Sequence, residues 1–193
     1  MSTAPLILAS SSRHRRALLA RLGLEFSCQS PAIDETPQGG ESPATLAERL
    51  AAAKAARIAS AAPGALIIGS DQVATLDDQA LGKPGDAARA RAQLAACAGR
   101  EVVFHTAVCV RHPGGLIDTH RDVTTVVFRP LSAAEIARYV EIDHPLDSAG
   151  AFRCETLGIS LFERIDNTDP TALIGLPLIW LSGALRRAGL AVP

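Results

Sequence analysis

A chain of 193 residues can bury a substantial core and reads as one domain, residues 1–193. Its formal net charge of −1 gives no global field for holding a nucleic-acid backbone. Hydrophobic residues make up 48%, many of them alanine, and aromatics only 4%, which favours helices packed on a sheet over an aromatic-rich β-sandwich.

The four cysteines, Cys28, Cys97, Cys109 and Cys154, form no C-x-x-C pair and lack zinc spacing. Free thiols in a reducing compartment are the simplest reading. No basic stretch leads into a long apolar one near the N-terminus, so no signal peptide is expected. The longest uncharged run, Pro170 to Leu185, is too short to span a bilayer and contains Pro177. We expect a soluble cytoplasmic protein with no membrane partner. The sequence leaves the oligomeric state open, a homodimer included.

Taken in order, Pro5–Ala9 predicts a short buried strand. Ser10-Ser11-Ser12 follows, then Arg13-His14-Arg15-Arg16, with Leu18, Leu19 and Leu22 at helical spacing and Gly23 as a stop. Hydroxyls and free N–H groups at a helix start suit a phosphate. At 100° per residue Arg15 falls near the centre of the leucine stripe, so it needs a partner, and a bound phosphate would be one. Arg13 and Arg16 point elsewhere and read as solvated surface.

Glu25–Cys28 predicts a second strand. Asp34 and Glu35 lie in a segment bounded by Pro31 and Pro37, which cannot be a helix interior. They are either solvated or a hard-cation site. Ser42-Pro43 starts a helix that should run to about Ala61, before Pro63-Gly64. Its apolar stripe is Leu46, Ala47, Leu50, Ile58 and Ala61, and Lys54 falls near the middle of it. That lysine must either snorkel out or meet an anion.

Leu66-Ile67-Ile68 predicts a strand buried on both faces, ended by Gly69-Ser70, with Asp71 just beyond it. Ligands in open α/β sheets sit at such strand ends, although an Asp there can equally cap a turn. Leu76–Leu81 reads as a hairpin with a polar tip, leading into Gly82-Lys83-Pro84-Gly85, which is not a P-loop. Asp86 can cap a helix to about Cys97. Glu101–Val110 and Leu116–Arg129 should form an antiparallel hairpin. His105, His112 and His120 lack ligand spacing. Ser132-Ala133-Ala134-Glu135 is a capping box opening a helix to about Val140. Residues 143–170 look irregular, as binding loops often do. Leu176-Pro177 begins the last helix, ending near Arg186 and Arg187.

The set Ser10–Ser12, Arg15, Lys54 and Lys83 suits phosphate groups; Asp34, Glu35 and Asp71 supply carboxylates. Cations to hold a polyphosphate, two carboxylates to hold a metal and a third to activate water point to metal-assisted hydrolysis of a nucleotide phosphoanhydride.

The run Leu8-Ala9-Ser10-Ser11-Ser12-x-x-Arg15-Arg16 is followed in order by Asp34-Glu35, Arg49 with Lys54-Ala55, Gly69-Ser70-Asp71 and Gly82-Lys83-Pro84. His144-Pro145, Ala149-Gly150, Gly158-Ile159 and Gly175-Leu176-Pro177 continue it. The whole pattern resembles the Maf family of nucleoside triphosphate pyrophosphatases. The resemblance implies a mixed, elongated α/β sheet with flanking helices and two lobes around a cleft, similar to the inosine triphosphate pyrophosphatases. It implies Mg²⁺ or Mn²⁺ as cofactor, a nucleoside triphosphate as substrate and Asp71 as general base. Glu35 and Asp71 would bind metal; Ser10, Arg15, Lys54 and Lys83 would bind the triphosphate. Asp71-Gln72-Val73 and Glu155 resemble the 7-methyl-GTP subgroup; the dTTP/UTP subgroup has Thr after the Asp. His14 stands where the 7-methyl-GTP subgroup commonly has Trp and the dTTP/UTP subgroup Arg, so His14, Gln72 and Glu155 form the expected specificity set. A pyrimidine or broad triphosphate preference and, from another class, a nucleotide-binding regulator of cell division are the competing expectations.

Overall fold

The computed structural model describes residues 4–193. Its strands are β1 (Leu6–Leu8), β2 (Ser27–Cys28), β3 (Leu66–Leu76), β4 (Gln79–Leu81), β5 (Glu101–Arg111), β6 (Ile117–Phe128) and β7 (Phe162–Asp166). The helices are α1 (Arg13–Ala20), α2 (Pro43–Ala59), α3 (Ala87–Cys97), α4 (Ala133–Asp143) and α5 (Leu178–Arg187). Short 3₁₀ turns occupy Ala149–Ala151, Leu157–Leu161 and Ala172–Ile174. The sheet has seven strands in the order β2-β1-β3-β5-β6-β7, with β4 also on β3. β1 is parallel to β2 and β3, and the remaining pairs are antiparallel, so the sheet is mixed. None of the helices among the described residues is long and apolar enough to cross a membrane.

Strand alternation sorts the core. Ile7, Ile67, Ala107 and Cys109 face Leu46, Leu50 and Ile58 of α2. Leu6, Leu8, Ile68 and Val108 face the other way, onto Leu18 and Leu19 of α1 and Leu181 and Leu185 of α5. Each such fully buried leucine or isoleucine contributes about 2 kcal/mol. A third cluster joins Leu94 of α3 and Ile136 and Tyr139 of α4 to Phe104, Phe128 and Phe152.

Four expectations are corrected. Asp71 does not lie beyond a strand: β3 continues to Leu76 because β5 pairs with it from Ile67 through Thr75. The 143–170 stretch contains β7, an edge strand whose polar side chains hide it from apolar patterning. α2 ends at Ala59, leaving Ala61 exposed, whereas α4 continues to Asp143.

One edge of β3 is interrupted. β1 covers Leu66–Ile68 and β4 covers Ala74–Leu76, so residues 69–73 have no strand neighbour on that side.

Candidate active site

Asp71 sits in that interruption. Alternation points its side chain to the α2 face and sends Ser70 and Gln72 to the opposite face. Gly69 sets the spacing: a Cβ there would lie 2.2 Å from the Ala51 carbonyl oxygen and 2.7 Å from Ala55 N. Without a side chain at 69, α2 packs directly on β3 and presents Lys54 to Asp71. Lys54 Nζ donates to Asp71 Oδ1 at 2.5 Å and pairs with Glu35 Oε1 at 2.7 Å. Lys54 and Asp71 are both buried; Glu35 remains open to solvent. The lysine at the stripe centre therefore meets an anion, and that anion belongs to the protein.

Asp34 turns away. Its Oδ1 accepts from Thr36 N at 2.9 Å, and this bonding holds its carboxyl below the usual aspartate range. Glu35 and Asp71 thus remain as the oxygen donors, brought together on the Lys54 ammonium. Such hard donors suit Mg²⁺ or Mn²⁺, which take one or two carboxylates and complete their shell with water and substrate phosphates. Among the described residues there is no group of three or more His, Cys, Asp or Glu that could hold a metal by itself.

Arg15 enters from α1. The Ser12 hydroxyl caps this helix by accepting from Arg15 N at 3.3 Å, and the buried Ser10 hydroxyl accepts from Ser12 N at 3.1 Å. Arg15 Nε donates to the Gly175 carbonyl at 3.0 Å. The Ser70 hydroxyl reaches the same carbonyl at 2.9 Å. Gly175 has φ +119°, and a Cβ there would meet Arg15 Nε at 3.4 Å. Burial lowers the Arg15 guanidinium pKa, while the Asp71 and Glu35 carboxylates pull it back up. The partner expected for Arg15 is thus in part a backbone carbonyl. Lys83 is exposed, on the turn after β4, and lines the same cleft.

Gln72 faces the loop before α5. Its Nε2 lies 2.9 Å from Thr106 Oγ1 and 3.0 Å from the carbonyls of Ala172 and Leu173. His14 Nδ1 pairs with Glu155 Oε1 at 2.8 Å. Phe152 packs edge-on against Phe104, Phe128 and Phe162. Next to Glu155, burial pushes the Cys154 thiol up to about 12, so it stays protonated and is no nucleophile at neutral pH.

The nine residues that the resemblance assigns to the site, Ser10, His14, Arg15, Glu35, Lys54, Asp71, Gln72, Lys83 and Glu155, line one cleft of about 640 Å³, whereas Asp34, the third candidate carboxylate, is not among its lining residues. Arg13 lines it too, whereas Arg16 lies at a separate depression beside β2. Arg153 also lines the cleft and was not singled out. A lone arginine in an irregular stretch gives no periodicity signal. Neither was Thr106, whose hydroxyl donates to the same Ala172 carbonyl at 3.0 Å; it reads simply as a strand threonine.

A family profile described as Maf-like protein matches residues 5–188. The chain belongs to the Maf family. Among relatives, a protein of Xanthomonas oryzae pv. oryzae named 7-methyl-GTP pyrophosphatase is 57% identical over 188 residues, covering 97% of this chain and 98% of the relative. Proteins of the same name from Ralstonia nicotianae and Bordetella avium are 55% and 54% identical over 185 residues. The Ralstonia alignment covers 94% of each chain; the Bordetella alignment covers 96% of this chain and 93% of the relative. A solved nucleoside-triphosphatase / dITP/XTP pyrophosphatase from Mycobacterium abscessus aligns with 64% of this chain and 74% of its own, at TM-score 0.42 and 19% identity.

Proposed function

We propose that this Maf protein hydrolyses nucleoside triphosphates to the monophosphate and pyrophosphate, with 7-methyl-GTP preferred and Mg²⁺ or Mn²⁺ as cofactor. The observation that carries this reading is the cleft itself. It gathers two carboxylates around a buried ammonium, with Arg15 beside them, and the Glu155–His14 pair in the same cavity. The names of the relatives at 54–57% identity support the same substrate.

Ser10, Arg15, Lys54 and Lys83 bind the triphosphate, the serine by a hydroxyl hydrogen bond and the other three by positive charge against the negative phosphates. Asp71 takes a proton from the attacking water. The water oxygen bonds to the α-phosphorus, the bond from that phosphorus to the bridging oxygen breaks, and pyrophosphate leaves. Glu35 and Asp71 would hold the divalent ion, which would offset phosphate charge. Lys54, fixed between both carboxylates, keeps them from repelling each other. Glu155 accepts from guanine N1–H and N2–H₂, both donors. N7 methylation makes the base cationic, which favours a carboxylate and an aromatic such as Phe152 close by.

The test is pyrophosphate release from purified protein with Mg²⁺ or Mn²⁺, across 7-methyl-GTP, GTP, dTTP, UTP, CTP and ITP. Highest kcat/KM for 7-methyl-GTP is the expected result. A dTTP and UTP preference overturns the specificity assignment and keeps the chemistry. Binding without turnover on any of them replaces the enzyme with a nucleotide-binding regulator.

A further inference from the structure

The segment 152–156 supplies four residues of the cleft wall, Phe152, Arg153, Cys154 and Glu155, yet it has no regular secondary structure. Something must fix it. On one side Phe152 is held by the other phenylalanines. Behind it lies a polar knot centred on Asp143, the last residue of α4.

Asp143 Oδ2 accepts from the Tyr139 hydroxyl at 2.7 Å and from Thr156 Oγ1 at 3.0 Å, and lies 3.5 Å from Arg153 Nε. Tyr139 Oη in turn accepts from Arg153 N at 3.1 Å. Residues 153 and 156 are thus tied to one carboxylate oxygen, directly or through the phenol. Gly158 tightens the same turn: a Cβ there would lie 2.3 Å from the Arg153 carbonyl oxygen.

The residue type runs against local expectation. A carboxylate at a helix C-terminus opposes the macrodipole, and a buried one is costly without partners. Asp143 is both, with only 9% of its surface exposed. Where a local rule is broken, the compensation usually lies in a site the residue supports. Here the compensation is the set of donors that shape 152–156.

We propose that Asp143, acting through Tyr139, Arg153 and Thr156, is a positioning residue that holds Glu155 and Phe152 in place for base selection. It has no part in the phosphate chemistry. This inference rests on the reading that the 152–156 wall recognises the base. Asp71, Lys54 and Glu35 belong to other elements, so disturbing the knot acts on selectivity first.

The experiment compares Asp143→Asn and Tyr139→Phe with the unmodified protein, using steady-state kinetics on its best nucleotide and on the next best. Asp143→Asn keeps the shape and removes the charge. Tyr139→Phe removes one oxygen and decides alone if the first variant does not fold. The expected result is a KM for the best nucleotide raised about tenfold with kcat within about twofold, and a selectivity ratio that shrinks by the same factor as KM rises. An unchanged ratio, or kcat falling equally for both nucleotides at constant KM, overturns the proposal. The ratio is defined by whichever nucleotide the protein prefers. A protein that prefers dTTP therefore fails the substrate assignment without deciding the role of Asp143.

Discussion

His14 Nδ1 and Glu155 Oε1 lie 2.8 Å apart, joining the first turn of α1 to the segment after Phe152. Both residues line the cleft, and the proposed function assigns this pair to the base. A cationic 7-methylguanine offers Glu155 a charge in exchange for the imidazole. A neutral guanine offers hydrogen bonds alone. Glu155→Gln should therefore lower kcat/KM for 7-methyl-GTP by about tenfold or more and for GTP by much less. Parallel kinetics on the two nucleotides measure this; an equal loss on both would remove charge from the recognition argument.

Asp71→Asn preserves size and removes the base. Its turnover should fall by about 10² to 10⁴, the usual worth of a positioned proton acceptor. Nucleotide affinity should persist, because Arg15 and Lys83 are untouched. Calorimetric binding alongside pyrophosphate release separates the two effects, and a rate near that of the unmodified protein contradicts the general-base role.

Gly69→Ala tests how α2 is seated. The added methyl meets the Ala51 carbonyl oxygen at 2.2 Å, closer than any relaxed contact. Backbone on backbone cannot swing away, so α2 must shift. The expected cost is about 1–3 kcal/mol of stability, read as a lower denaturant midpoint. Turnover should fall as well, since the same shift draws Lys54 from Asp71. A stable, fully active Gly69→Ala protein would show that α2 tolerates displacement.

α4, which carries Tyr139 and Asp143, has its own pH signature. At its N-terminus Glu135 is held down at about 2 by the Ser132 N–H, the Ser132 hydroxyl and Arg129. A pKa depressed in the folded state stabilises above the unfolded glutamate value and is lost as pH falls through the folded one. Thermal unfolding of Glu135→Gln should therefore differ most from the unmodified protein at neutral pH, and the gap should close as the pH falls from about 4.5 to about 2. A constant gap across that range would mean that the capping contact is not ionic.

Much of the site could be read from residue order because charge in an apolar stripe is conspicuous. Arg15 and Lys54 break the periodicity of α1 and α2, and both line the cleft in the fold. Asp71 was visible as a residue but not in its setting. Gly69-Ser70-Asp71-Gln72 interrupts the apolar run, while cross-strand pairing with β5 carries β3 on regardless. That pairing is non-local and leaves no trace in the sequence of β3 itself. β7 escaped for a related reason, as an edge strand with charged side chains. The knot at Asp143 was illegible because Tyr139 and Asp143 lie on α4, while Arg153 and Thr156 come from a segment with no regular structure.

The interruption between β1 and β4 also bears on how the protein keeps to itself. An unpaired stretch of strand is a template on which another chain can add, and inward-pointing charge is one of the devices that prevent it. Here the stretch from Gly69 to Val73 carries Asp71, clasped by Lys54 beneath α2. Burial of Gly69, Ser70, Asp71 and Val73 already closes most of this seam, and the carboxylate assigned to water activation adds a charge at its middle. An apolar replacement at 71 would remove that charge from a β-prone run, so solubility belongs beside turnover among the properties to measure on any such variant.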